Sequence, residues 1–262
     1  DPCSTQYEPL SPYLYCAANP ILLTDPTGCL IEGVTKNDAV FLVADMQEIF
    51  SDDAFTRFRD LIKRDGKKQN GKRLAQISPE DQAAAFAGID LNEDQQALVD
   101  IAVGAINDPD HTHYIEYYVP ETEMSLFAQK FIVPELEKMM PSDVSLRCFI
   151  NPNKGGYAQI LHARYKGGVT VATGAGSLSL VYKNVDKHDG GRALTTGHEL
   201  FGHGILASLG ITDEYIQHVI AIKTDNLIRR NMGIKRYRNG TDHDGPFIPD
   251  YNALPDFKID EL

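Results

Sequence analysis

The chain has no apolar run approaching the ~20 residues that cross a bilayer, which excludes a spanning helix. No secretory leader is visible either, so if the protein is exported, something other than its own N-terminus carries it. Positive charge is scarce: 25 Lys and Arg stand against 37 Asp and Glu, a formal net charge of −12. A surface of that sign repels phosphate backbones and argues against wrapping nucleic acid. Cysteine is sparse as well. Cys3, Cys16 and Cys29 stand thirteen apart, with Cys148 far downstream, and that spacing fits no zinc knuckle or ribbon. Free, partly buried thiols fit better than a disulfide, and the redox compartment stays open. What is present is ordinary for a globular protein: 42% apolar and 24% charged over 262 residues, enough for one large domain or two small ones.

The most informative stretch is His198-Glu199-Leu200-Phe201-Gly202-His203. Zinc hydrolases commonly place two histidines four apart on one helical face, with a Glu beside the first as general base. Here the histidines are five apart. At about 100° per residue, a regular α-helix sets them roughly 140° apart, too far round to share one ion. Either the helix opens into a π-type turn, for which Gly202 is a suitable site, or these two histidines are not co-ligands.

The six residues resemble the His-Glu-Leu-Leu-Gly-His motif of the dipeptidyl peptidase III family of zinc peptidases. That resemblance implies His198 and His203 as zinc ligands and Glu199 as the residue that activates water. It covers these six positions; the family's downstream Glu-rich helix, which gives the third ligand, has no match here.

Residues 1–28 are different in character, with Pro2, Pro12, Pro20 and Pro26 punctuating an aromatic, turn-rich segment. Ser11-Pro12-Tyr13-Leu14-Tyr15-Cys16-Ala17-Ala18-Asn19-Pro20 and Asp25-Pro26-Thr27-Gly28 resemble the end of the Rhs/YD-repeat core, with Ala18 where that family usually has Asn. In such proteins a variable C-terminal module, commonly a toxin, follows the Asp-Pro-x-Gly. The resemblance implies that residues 29–262 are the tip of a polymorphic-toxin-like protein whose parent shell precedes it. Read without the resemblance, the segment is a proline-rich arm.

Spacing predicts helices over 37–50, with a strand as the alternative at its start, from Ser51-Asp52-Asp53 through Phe55, Phe58, Leu61 and Ile62, from the Ser78-Pro79 capping box to Gly88, and from an Asp90 or Asn92 cap to Ile106. A strand is expected at His111–Val119 and a helix at Glu121–Met140, with Pro134 as a kink or break. Val144–Ile150 and Tyr157–Tyr165 read as strands, and Gly167–Ala172 with Ser177–Val185 as a meander. The class is α+β and zincin-like: a mostly helical N-terminal part, a small antiparallel sheet, the His198 helix, then a second ligand-bearing helix. In that layout an edge strand can hold an extended peptide by main-chain hydrogen bonds.

Catalytic zinc takes three protein ligands and keeps one position open. The His198 helix should end near Gly210, and Thr212 can cap a helix from Asp213 to about Met232. Glu214, His218, Asp225 and Arg229 share one face of it, opposite Ile216, Val219, Ile220 and Leu227. His218 is the first choice for third ligand, with Glu214 and Asp225 as alternatives; Asp225 can instead fix a ligand histidine's tautomer. The run Asp225-Asn226-Leu227-Ile228-Arg229 followed by Gly233 and Arg236 or Arg238 resembles a pattern in zincin-like toxin modules. His243, beside Asp242, can donate to an oxyanion, or the pair is a solvated turn. His111, His113, His162 and His188 lack ligand spacing and read as structural or exposed.

The expectation is a zinc-dependent metallopeptidase, a toxin or effector tip of an Rhs-like protein. Its partners would be a peptide or protein substrate, an immunity protein and the parent shell. It would be exported or delivered at a cell surface. The alternatives are a non-catalytic binding module or inactive zincin, and a nuclease toxin.

Overall fold

The computed structural model describes residues 30–138, 156–186, 190–211, 213–239 and 247–249. The 1–28 segment, all four cysteines and the expected strand at Val144–Ile150 lie outside them.

A four-stranded sheet divides the fold into two cores. β1 (Ile31–Gly33), β2 (Thr112–Tyr118), β4 (Gly176–Tyr182) and β3 (Gly168–Ala172) lie in the order β1-β2-β4-β3. The expected antiparallel sheet is in fact mixed. β1, β2 and β4 run parallel, and β3–β4 is the antiparallel pair. Parallel neighbours need long crossovers, and helices supply them. Between β1 and β2 lie α1 (Lys36–Ile49), α2 (Thr56–Arg59), α3 (Pro79–Ala85) and α4 (Glu93–Ile106); between β2 and β3 lie α5 (Leu126–Lys138) and α6 (Tyr157–Tyr165).

Three helix starts follow their caps. The Thr35 hydroxyl accepts from Asp38 N and the Asp38 carboxylate answers from the Thr35 side; Ser78 caps α3 and Asn92 caps α4. The run after Ser51 shortens to a 3-10 turn at Asp53–Phe55 and the single α-turn of α2. Phe55 and Phe58 both turn inward onto Phe50, at 5.1 and 4.9 Å between ring centres. α5 starts at Leu126, where the Ser125 hydroxyl accepts from Ala128 N, and runs through Pro134 without a break.

Tyr157–Tyr165 is a helix, α6, where a strand was expected. Its aromatic and β-branched residues imitate a strand, but Ala158 and Leu161 are buried three apart on one helical face.

Alternation along β2 and β4 assigns the two faces. Ile115, Tyr117 and Val181 join the larger core with α1, α4 and the C-terminal helices; Tyr118, Leu178 and Leu180 join the smaller one with α5 and α6. On the larger-core face runs one long helix in three parts: α7 (Gly191–Gly197), a π segment (His198–Gly204) and α8 (Ile205–Ser208). α9 (Glu214–Asn231) packs across it. Its N-cap is Asp213, whose carboxylate accepts from Ile216 N; the expected cap, Thr212, lies outside the described residues. A short antiparallel pair, β5 (Tyr237–Arg238) and β6 (Phe247–Ile248), follows.

One buried carboxylate sets the helix on its bed. Asp45 of α1 takes Arg192 Nε and Nη2 at 2.9 and 2.7 Å, the Thr196 hydroxyl at 2.7 Å and the Tyr117 hydroxyl at 2.8 Å. α1, β2 and α7 therefore meet at one anion whose acceptor sites are filled. Such a network fixes geometry more than it adds stability. It lies two residues before His198.

Candidate metal centre

The π segment changes what five residues mean. With i→i+5 bonding, the chain needs about one residue more than an α-helix to come round to the same side. His198 and His203 therefore share a face, and their ring centres are 5.0 Å apart with planes at 76°. Three imidazoles on a tetrahedral cation, each with its nitrogen about 2.0–2.1 Å from the metal, would have ring centres roughly 5 Å apart. The pair fits that spacing.

The wide turn has supports on both sides. A Cβ at Gly202 would stand 2.8 Å from Ala221 Cα and 3.0 Å from its Cβ, so only glycine lets α9 approach this closely. On the sheet side, the Thr170 hydroxyl of β3 lies 3.1 Å from the Glu199 carbonyl.

The same hydroxyl lies 2.8 Å from Glu199 Oε2, and Ser179 Oγ stands 3.0 Å from it. With Ser179 donating to Thr170, the Thr170 hydrogen is free for Glu199. The Glu199 carboxyl also rests on Gly168, where a Cβ would come within 2.8 Å of its Cγ and 3.0 Å of Oε1. Glu199 is 5% exposed, and burial pushes its carboxyl up to about 7, with the Thr170 hydrogen bond pulling the other way. A carboxyl in that range can exchange a proton near neutral pH.

His218 of α9 faces the pair, its ring centre 6.1 Å from that of His203 with planes at 80°. That is about 1 Å wider than the tetrahedral spacing worked above. Among the described residues no three His, Cys, Asp or Glu side chains are drawn tightly enough to hold a cation as they stand. Three imidazoles are donors of the kind a catalytic zinc takes, so the residue types of the set fit zinc.

Asp225 has other duties. Its Oδ1 faces His198 Nδ1 at 3.7 Å, and its Oδ2 takes Arg229 Nε at 2.6 Å and Arg238 Nε at 3.2 Å. At 3.7 Å the contact with Nδ1 is electrostatic, longer than a hydrogen bond.

Comparison with protein-family models, with curated proteins and with solved structures returns no match.

Of the residues singled out in the sequence, His198, Glu199, His203, His218 and Asp225 come together here. The Glu214 side chain, His188, Asp242 and His243 lie outside the described residues. His111 and His113 stand elsewhere, both on Asp108: His111 Nδ1 at 3.2 Å and His113 Nε2 at 3.4 Å from its Oδ2. His113 Nδ1 meets Ser177 Oγ at 2.9 Å, so this histidine is part of a buried hydrogen-bonded chain. Burial pushes the Asp108 carboxyl up, but His113, the backbone N–H groups of Asp110 and His111 and the His111 ring together bring it down to about 2. His162 packs on Tyr182 at 4.2 Å. Sequence reasoning missed Thr170, Ser179 and Gly168. Only the pairing of Thr170 with Ser179 across β3 and β4 brings them to Glu199, and no local motif announces it.

Proposed function

We propose that the chain is a zinc-dependent peptidase with His198 and His203 as ligands, His218 as the third and Glu199 as general base. The observation that carries this reading is the π turn that brings two imidazoles, five positions apart, to 5.0 Å. A π turn is rare and concentrates at functional sites. Zinc held there would acidify a bound water and polarise the scissile carbonyl. Glu199, set by Thr170 and Gly168, takes the water's proton and passes it to the leaving amine. Among the described residues β3 is the edge of the sheet beside Glu199, and a sheet edge suits an extended peptide backbone. We further propose, on the resemblance carried by residues 1–28, that this module is the effector tip of a larger exported Rhs-like protein, neutralised by an immunity partner.

Metal analysis of purified protein tests the reading. About one zinc per chain is expected, lost in His203→Ala. Glu199→Gln should keep the metal and lose peptide hydrolysis. The wide His203–His218 spacing favours one rival, an inactivated zincin that acts by binding alone. Metal-free wild-type protein, or metal-loaded protein that hydrolyses no peptide in a mixed library, would establish that rival.

A further inference from the structure

The described residues after α9 close on the Asp225 carboxylate. Asn226 clamps β5 through its backbone in both directions. Its Nδ2 donates to the Arg238 carbonyl at 2.9 Å, and its Oδ1 accepts from Arg238 N at 2.7 Å. Arg229, 1% exposed, donates from Nη1 to the Arg236 carbonyl at 3.3 Å, and its own carbonyl accepts from Ile234 N at 2.8 Å. β6 pairs Phe247 with Arg238. The Phe247 ring lies 5.1, 4.3 and 5.3 Å from the guanidinium carbons of Arg229, Arg236 and Arg238, close enough for cation–π attraction. All of these contacts aim the Arg238 guanidinium at Asp225, the carboxylate that faces His198.

We infer that β5 and β6 form a positioning strut: Asn226, Arg229 and Phe247 hold Arg238 on Asp225, and Arg238 with Arg229 fixes the carboxylate that orients His198 for metal. The inference rests on the zinc reading above. Two guanidiniums from different segments share Oδ2, which fixes the plane of the carboxylate and sends Oδ1 towards the ring. With one of them removed, Asp225 can rotate about its remaining partner, and the imidazole loses its stop. Outer partners of this kind typically alter metal affinity about ten- to a hundredfold. The Asp-Asn-x-x-Arg run thus has three separate duties: Asp225 faces the ligand, Asn226 clamps the strand and Arg229 braces the carboxylate.

The test uses the full chain, stripped of metal and titrated with zinc against a competing chelator, with cobalt(II) absorption as a second reading of the ligand geometry. Arg238→Met and Asn226→Ala should each weaken zinc binding about ten- to a hundredfold and change the cobalt spectrum, while circular dichroism stays that of the wild type. Arg230→Ala is the control, because Arg230 is exposed on the same helix and pairs with Asp94; zinc affinity should hold. If Asn226→Ala does not fold, Arg238→Met carries the test, since that side chain is already 20% exposed. Wild-type affinity in both strut variants, or an equal loss in Arg230→Ala, overturns the strut and leaves the zinc reading standing. A wild-type chain that takes up no zinc overturns both.

Discussion

Glu199→Gln should make the metal-free protein more stable while it removes the base. In the folded chain burial moves the Glu199 carboxyl from the ordinary 4.5 up to about 7; in the unfolded chain the ordinary value returns. Between those two pH values the folded state binds more protons than the unfolded state, so stability falls as the pH rises through that window. At about 1.4 kcal/mol per pH unit, the difference amounts to about 3 kcal/mol. Gln keeps the shape and can still accept from Thr170, but it carries no charge at any pH. Urea unfolding of the chelated protein between pH 4.5 and 8 should show a wild-type slope that the variant lacks. The two curves should meet at the acid end and stand about 3 kcal/mol apart at pH 8, with the variant above. Peptide hydrolysis by the zinc-loaded variant should drop by about 10²–10⁴-fold. Parallel curves for the two proteins, or a wild type that gains stability towards pH 8 relative to the variant, would refute the buried-carboxylate argument.

Other perturbations follow from the same geometry. Gly202→Ala forces a methyl group to within 2.8 Å of Ala221 Cα; chemical denaturation should register a loss of about 1–3 kcal/mol, and zinc stoichiometry should fall as the π turn shifts. Thr170→Val removes the hydrogen bond to Glu199 Oε2 and leaves a buried acceptor, costing about 1–3 kcal/mol; peptidase kinetics should show kcat falling with KM nearly unchanged. Asp45→Ala strands Arg192, Thr196 and Tyr117 around an empty acceptor, and calorimetry should show one of the largest single-site losses in the chain, about 3–5 kcal/mol.

The helical scaffold was legible where local chemistry decides structure. Ser78 and Asn92 announce their helices because a cap is an interaction three residues long. Strands β2 and β4 were readable from alternation, and the antiparallel pairing of β3 with β4 from the meander, but the parallel pairing of β2 with β4 was not. Parallel pairing depends on which helices intervene, and a neighbourless strand carries no sign of it. α6 was misread because Tyr157, Ile160 and Tyr165 have strand-like side chains, while burial against α5 decides the outcome. At the site, the His198–His203 spacing posed the right question, and the answer depended on α9. Ala221 lies nineteen positions beyond Gly202, and nothing near Gly202 reveals that a neighbouring helix will press there. Thr170 and Gly168 were invisible for the same reason, since they reach Glu199 only through the pairing of β3 with β4.

A π turn amounts to one residue inserted into an α-helix. Removing Leu200 or Phe201 would restore the familiar four-residue spacing. Because the wide turn would close at the same time, five residues of π winding giving way to four of α winding, Ile205 and Leu206 would keep their phase about the axis and Leu206 its buried seat. The unusual spacing is therefore a local device, absorbed within one turn, and the entry to α9 does not depend on it.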